Sequence, residues 1–144
     1  MLFQGKNTYT AKHLVKNKIV GVYGKVRLSD IKYCQNSISS VFRDGRSLEE
    51  GVDDIIVGRW IPKLRVVVIK ERFWSLDNRR LWCAKKAGIR FVNCEIVKKG
   101  LEFLWKFSTR TNGKEIHVNY QEFKKCFCSE CKRIYRLASS AYEM

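Results

Sequence analysis

Alternation and clustering of apolar residues divide the chain into short strands and short helices. Leu64 to Ile69, Leu-Arg-Val-Val-Val-Ile, is a compact apolar run bounded by charges and reads as a buried strand. Lys70-Glu71-Arg72 is a tight turn, and Phe73 to Leu76 returns as the partner strand. Ile89 to Val97 is a further strand. An earlier one is expected near 18–28, rich in Val, Ile and Tyr and interrupted by Gly21 and Gly24. Ile31 to Asn36 reads as a strand end and loop, and Asn36 or Ser37 is placed to cap a short helix through Phe42. Asp44-Gly45 marks a turn.

Two helices are clearer. Ser47 and Glu50 form a capping-box pattern ahead of Leu48, Val52, Ile55 and Ile56 on one face and Glu49, Asp53 and Asp54 on the other. Gly58 ends this helix, and Ile61-Pro62 opens an extended segment. The second helix runs from Asn78 to Ala87, capped by Asp77 or Asn78 and closed by Gly88 after Lys85 and Lys86. In the tail, Leu101 to Thr109 alternates with Phe103, Trp105 and Phe107 on one side. Asn112-Gly113 is a strong hairpin signal, and Ile116 and Val118 supply a return strand. Tyr120 to Glu143 reads as a helix, with Phe123, Phe127, Ile134, Leu137 and Ala141 near one face. Lys125, Lys132, Arg133 and Arg136 are then available to the exposed side. The expected class is α+β, a mixed β-sheet with short helices followed by a C-terminal hairpin and basic helix.

Composition sharpens this picture. The 144 residues are 45% hydrophobic, which argues against disorder and for one domain with a real core. No apolar run is long enough to span a bilayer, and the opening Met-Leu-Phe-Gln-Gly-Lys-Asn lacks the apolar core of a signal peptide. Residues Leu2 to Gly5 read as a vector or protease-site remnant. The formal charge is +15, and ten basic against five acidic residues lie in 98–144. A globular chain this basic is attracted to polyanions, with an acidic protein partner as the alternative. Six cysteines without a secretory signal favour a reducing compartment, nucleus or cytoplasm.

The chemistry concentrates at Asn78, Arg79 and Arg80. Both arginines fall in the first turn of a helix, where the dipole disfavours cations and the backbone N–H groups favour phosphate. An anion nearby resolves that conflict; solvation, or pairing with surface carboxylates, is the alternative. Cys34, Cys83 and Cys94 stand singly in apolar settings and read as buried thiols. Cys126, Cys128 and Cys131 contain one C-x-x-C pair, and His117 is available as a fourth zinc ligand. On a continuous helix, however, Cys126 points away from the face shared by Cys128 and Cys131. Helix geometry therefore argues for thiols without a metal.

The succession from residue 27 to 97 resembles the ParB-like domain of the ParB/sulfiredoxin superfamily. It runs through a capped helix, Phe-Arg-Asp-Gly-Arg-Ser-Leu-Glu-Glu-Gly-Val-Asp-Asp-Ile-Ile-Val-Gly, then the VVVI strand. Ser-Leu-Asp-Asn-Arg-Arg-Leu-Trp-Cys-Ala-Lys-Lys-Ala-Gly follows, similar to the G-[E/N]-R-R-x-x-A-x-x-x-A-G signature, and FVNCEIV closes the succession. The resemblance covers about half the chain; nothing from Lys98 onward takes part. It implies a phosphate-binding corner at the start of the Asn78–Ala87 helix, with Arg79 and Arg80 on phosphate and Asn78 at the turn. It also implies further nucleotide contacts near Gln35, Asn36 and Ser37. Sulfiredoxins carry a catalytic cysteine where this chain has Asn78, so their reductase activity is excluded. Nucleotide-hydrolysing relatives commonly carry Glu there, and asparagine is no general base. Asp77 is the nearest substitute, or only a helix cap; Asp30 and Glu95 are the other available carboxylates, and none of the three has matching spacing. No helix-turn-helix for reading DNA sequence is evident.

Three functions follow from this reading. The first is nucleic-acid binding, with or without nuclease activity, aided by Trp60 or Trp82 for base stacking. The second is an enzyme acting on a nucleotide with Mg²⁺, a nucleoside-triphosphatase or phosphotransferase. The third is a catalytically inactive interaction module. Charge in the flanks and the lack of a clear catalytic acid favour the first.

Overall fold

The structure, a computed structural model, describes residues 23–120, 126 and 128–133. Its centre is a five-stranded mixed sheet. The strands are β1 (Tyr23–Arg27), β2 (Ile31–Tyr33), β4 (Lys63–Ile69), β5 (Arg72–Ser75) and β6 (Phe91–Ile96), in the order β1-β6-β4-β5-β2. The β4–β5 and β1–β6 pairs are antiparallel, and β4–β6 and β2–β5 are parallel. A second ribbon pairs β3 (Ser37–Ser39) with β7 (His117–Asn119) in parallel. The helices are α1 (Leu48–Ile56), α2 (Asn78–Lys86) and α3 (Leu101–Lys106). The expected α+β class and mixed sheet are therefore present.

Period-two alternation in β4 sends side chains to two different cores. Leu64 and Val66 join Phe73, Leu81, Val92, Cys94 and Ile96 beneath α1 and α2. Val67 joins Trp74, Leu76 and Phe103 of α3 on the other side. Full burial of a side chain such as Phe73 contributes about 1.5–3 kcal/mol. Lys70 and Glu71 both take positive φ, so the two-residue connection from β4 to β5 has the twist that antiparallel pairing favours.

Helix α1 begins at the expected capping box, with Ser47 Oγ accepting from Glu50 N and Glu50 Oε2 accepting from Ser47 N. Such a cap contributes about 1 kcal/mol. Leu48 is fully buried and Ile56 is exposed, so the apolar face is narrower than the pattern implied. The backbone of α1 approaches α2 closely at Gly51, where a Cβ would meet Phe42 Cε2 at 3.0 Å and Cys83 Sγ at 3.1 Å.

Four expectations are corrected. Ser37 starts strand β3 rather than capping a helix through Phe42; the parallel partner that makes it a strand lies 80 residues away, beyond any local pattern. Leu101 to Lys106 is helix, not strand: only Phe103 finds a core, while Trp105 is 80% exposed. Asn112-Gly113 does form a left-handed turn, with φ of 55° and 76°. It closes no hairpin, however. Gly113 O accepts from Tyr33 N at 3.0 Å and covers the free edge of β2. A Cβ on Gly113 would lie 2.6 Å from Lys32 Cβ, so the close approach itself requires glycine. Finally, no helix starts at Tyr120. Residues 126 and 128 are non-helical and the described helical segment is 129–133. The expected helix beyond 133, and strand residues 18–22, lie outside the described residues.

Candidate functional site

The N-terminus of α2 opens into a cleft of about 810 Å³. Its lining comes from the β2–β3 connection, β3, the loop at 42–46, Trp60, the first turn of α2, and α3. The end of β7 contributes Asn119. Six cations and three carboxylates line it: Arg43, Arg46, Arg65, Arg79, Arg80 and Lys106 against Asp44, Asp77 and Glu102.

All three carboxylates are engaged. Asp77 Oδ2 accepts from Arg65 N at 2.8 Å, and its Oδ1 accepts from Arg65 Nη2 at 2.9 Å. The second nitrogen pair of Arg65 reaches Glu102, with Nη1 donating to Oε2 at 2.8 Å. Lys106 Nζ donates to Glu102 Oε1 at 2.9 Å. Hydrogen bonds from Arg65, then Lys106, hold the Glu102 carboxyl down to about 2. Hydrogen bonds to Asp77, then to Glu102, raise the Arg65 guanidinium further above its ordinary range. Asp44 pairs with Arg46 at 3.1 Å.

Asp77 occupies the N-cap position of α2 but makes no side-chain cap bond, because its carboxylate faces Arg65. The expected helix cap thus gives way to a clasp between β4 and the start of α2. Asn78 is 2% exposed. Its Oδ1 accepts from Cys34 N at 3.1 Å, and its Nδ2 donates to Gln35 Oε1 at 3.0 Å and to Cys34 Sγ at 3.3 Å. Both polar atoms are thereby committed within the protein, and Asn78 ties the helix start to the β2–β3 connection. Burial pushes the Cys34 thiol up, and pushes those of Cys83 and Cys94 to about 12. All three are buried, as expected, and poorly nucleophilic.

Arg79 and Arg80 are positioned differently. Arg79 Nη1 donates to Val41 O at 2.8 Å and Arg80 Nη1 to Lys63 O at 3.0 Å. Neither forms a salt bridge among the described residues, nor does Arg43. A guanidinium has five donors. A carbonyl contact therefore fixes each side chain, with the Arg79 guanidinium also 5.7 Å from the Phe42 ring, and no salt bridge among the described residues compensates either charge. The N–H groups of the first turn of α2 have no intrahelical partner and add to the same positive corner. Beside them, Phe42 and Trp60 meet edge to face with centroids 5.7 Å apart, and the Arg46 guanidinium lies 4.8 Å from the Trp60 ring.

Of the remaining sequence candidates, Gln35 and Ser37 line the cleft and Asn36 does not. Asn36 instead joins Ser108 and His117 through its backbone. Trp82 packs against the main core, with Lys86 5.4 Å from its ring. Asp30 and Glu95 lie off the cleft. Lys132 and Arg133 are exposed on the helical segment and also lie off it. Lys125 and Arg136 lie outside the described residues. His117, Cys126, Cys128 and Cys131 do converge, with one ligand atom of each within 4.8 Å of the others. Residues 126 and 128 are non-helical, so the helix geometry that set Cys126 apart does not apply at these two positions.

Sequence reading missed Arg65, Arg46, Phe42 and Glu102 as cleft residues. Arg65 carried a signal: a lone cation inside a buried strand needs a partner. Nothing local marked Phe42 or Glu102.

No family model matches this chain, and no curated protein does. Among solved structures, the chain is similar to the C-terminally truncated chromosome-partitioning protein ParB from Caulobacter crescentus complexed with CTP-gamma-S. Identity there is 17% and the TM-score 0.47, over 59% of this chain and 49% of that one. It is also similar to protein Atu1540 from Agrobacterium tumefaciens, at 18% identity and a TM-score of 0.42, over 58% of this chain and 44% of that one. The chain therefore spans less than half of either structure, and similarities of this size establish nothing about ligands. No helix among the described residues is long and apolar enough to cross a membrane.

Proposed function

We propose that this chain binds the phosphate backbone of a nucleic acid in the cleft at the start of α2, as a binding protein rather than a nuclease. The observation that carries the reading is the state of Arg79 and Arg80. Each is held by a backbone carbonyl, neither forms a salt bridge among the described residues, and both lie in the first turn of a helix, where N–H groups lack intrahelical partners. The chain's +15 charge supports a polyanion over a small anion. The half-buried Phe42–Trp60 pair supports an aromatic platform for a base. Binding is favoured over cleavage because every carboxylate lining the cleft is already paired with a cation. None is left to hold Mg²⁺ or accept a proton without breaking the Arg65 clasp.

The cleft's size favours a second reading, since about 810 Å³ lies within the range of small-molecule sites. In that reading the ligand is a nucleotide. The third reading, an inactive module meeting an acidic protein, draws on the charge alone.

The test is a titration with labelled single strand and duplex at two salt concentrations, with and without Mg²⁺ and a nucleotide mix. Binding that weakens steeply with salt, and is lost in Arg79→Ala/Arg80→Ala, supports the proposal. Cleavage products in Mg²⁺ overturn the binding-only part. Nucleotide binding indifferent to the oligonucleotide moves the site to the second reading, and no binding of either kind leaves the third.

A further inference from the structure

We infer that His117, Cys126, Cys128 and Cys131 form a structural zinc site, independent of whatever the cleft binds. His117 sits on β7, and its Nδ1 lies 2.9 Å from Cys131 Sγ and 3.8 Å from Cys128 Sγ. All four ligand atoms lie within 4.8 Å of one another. Zinc holds thiolate sulfur at about 2.3 Å and imidazole nitrogen at about 2.0–2.1 Å, so a regular tetrahedron has edges of about 3.5–3.8 Å. Adjustments of a few tenths of an ångström to about an ångström bring the four atoms to that figure, within the reach of side-chain rotation.

The local chain suits such a site. Cys128 precedes the helical segment 129–133 and Cys131 lies in it, which sets the two thiols of the C-x-x-C on one side. The backbone N–H of Val118 donates to Cys126 Sγ at 3.3 Å, the kind of outer contact that steadies a thiolate ligand. Ser129 Oγ donates to Glu115, fixing the start of the helical segment near β7. The four residues are half-buried; Cys126 packs against the main core, while His117, Cys128 and Cys131 are not part of that packing, so a purely apolar role does not explain their convergence. None of the three thiols is paired in a disulfide.

Three thiolates and a neutral imidazole are the donor set zinc prefers, and four protein ligands leave no open position for substrate. The metal would therefore act on the fold. It would staple Cys126, Cys128 and the helical segment 129–133 to β7, which pairs with β3, and Ser37, Ile38, Ser39 and Asn119 of that ribbon line the cleft.

The experiment uses the full chain, purified under reducing conditions with zinc supplied, and measures metal by elemental mass spectrometry. The expected result is one zinc per chain that survives dialysis. It should fall at least fivefold in His117→Asn, Cys128→Ser and Cys131→Ser, and be unchanged in Cys94→Ala. Chelation should lower the melting temperature by about 5 °C or more. Should the variants precipitate, cobalt substitution of the intact chain decides: tetrahedral bands with a charge-transfer intensity of three thiolates are expected. A wild-type chain that takes up no zinc or cobalt overturns the inference. So does zinc retained in all three variants, or a chain whose thiols pair as a disulfide and refuse metal after reduction.

Discussion

The two sides of the cleft are built to different standards. One side, α2 with β4, belongs to the five-stranded sheet and its cores. Its first turn is locked by Asn78 to Cys34 and Gln35, and by the Asp77–Arg65 clasp. The other side is β3 with β7, two strands of three residues each. So short a ribbon has little intrinsic stability. It depends on what holds the start of β7: the Gly113 turn against β2 just before it, and the cysteine cluster around His117, its first residue. The difference teaches that a positive corner can be preorganised by a core, whereas the opposing wall must be stapled.

The largest expected effect is on the stapled wall. Gly113→Ala forces positive φ on alanine and drives its Cβ into Lys32, and should cost about 3 kcal/mol in the urea unfolding free energy. A value under 1 kcal/mol would mean the turn is not held against β2.

Asn78→Ala tests the locked wall. It strands the buried Cys34 N–H and the Gln35 amide, with an expected cost of about 2–3 kcal/mol. If instead stability is unchanged and only ligand affinity falls, Asn78 contacts ligand directly and the lock is secondary.

Asp77→Asn separates clasp from catalyst. Arg65 is 39% exposed, so solvent screening reduces the expected loss to about 1 kcal/mol. Oligonucleotide affinity, corrected for the folded fraction, should stay within about twofold. A Mg²⁺-dependent activity present in wild type and abolished here would make Asp77 functional.

The smallest effect is at Glu102. Its carboxyl is held at about 2 in the folded chain against an ordinary 4.5, so its stabilisation is fully present above pH 4.5 and is lost as pH falls through about 2. The stability gap between wild type and Glu102→Gln should be well under 1 kcal/mol at pH 7, because the pair is surface-exposed. That gap should hold to about pH 4.5 and close below. A gap that closes already between pH 6 and 5 would contradict the ion-pair assignment.

The locked wall was largely legible in the sequence. The capping box at Ser47, the VVVI run and the Asn78–Gly88 helix each carry their signal within a few residues. The stapled wall was not. Ser37-Ile38-Ser39 is a strand only because His117-Val118-Asn119 lies beside it. Phe103, Trp105 and Phe107 imitate a strand's alternation, yet Glu102 bonds Arg65 and Lys106 from a helix. The convergence of His117, Cys126, Cys128 and Cys131 is hidden from a reading that extends one helix through Cys126. The arginines were placed correctly in the first turn. Their carbonyl anchors, Val41 and Lys63, come from loop and strand backbone that no side-chain pattern reveals.

The central claim is that phosphate sits at the α2 corner. Its most direct test is a nuclear magnetic resonance titration of the isotope-labelled chain with a short oligonucleotide, following the backbone amides of 78–80 and the Arg79 and Arg80 side-chain Nε–H signals. The account expects the largest shifts at these groups, followed by β3, with perturbations that vanish on raising salt. Shifts confined to 129–133 and the flanking lysines, with the α2 corner silent, would contradict it.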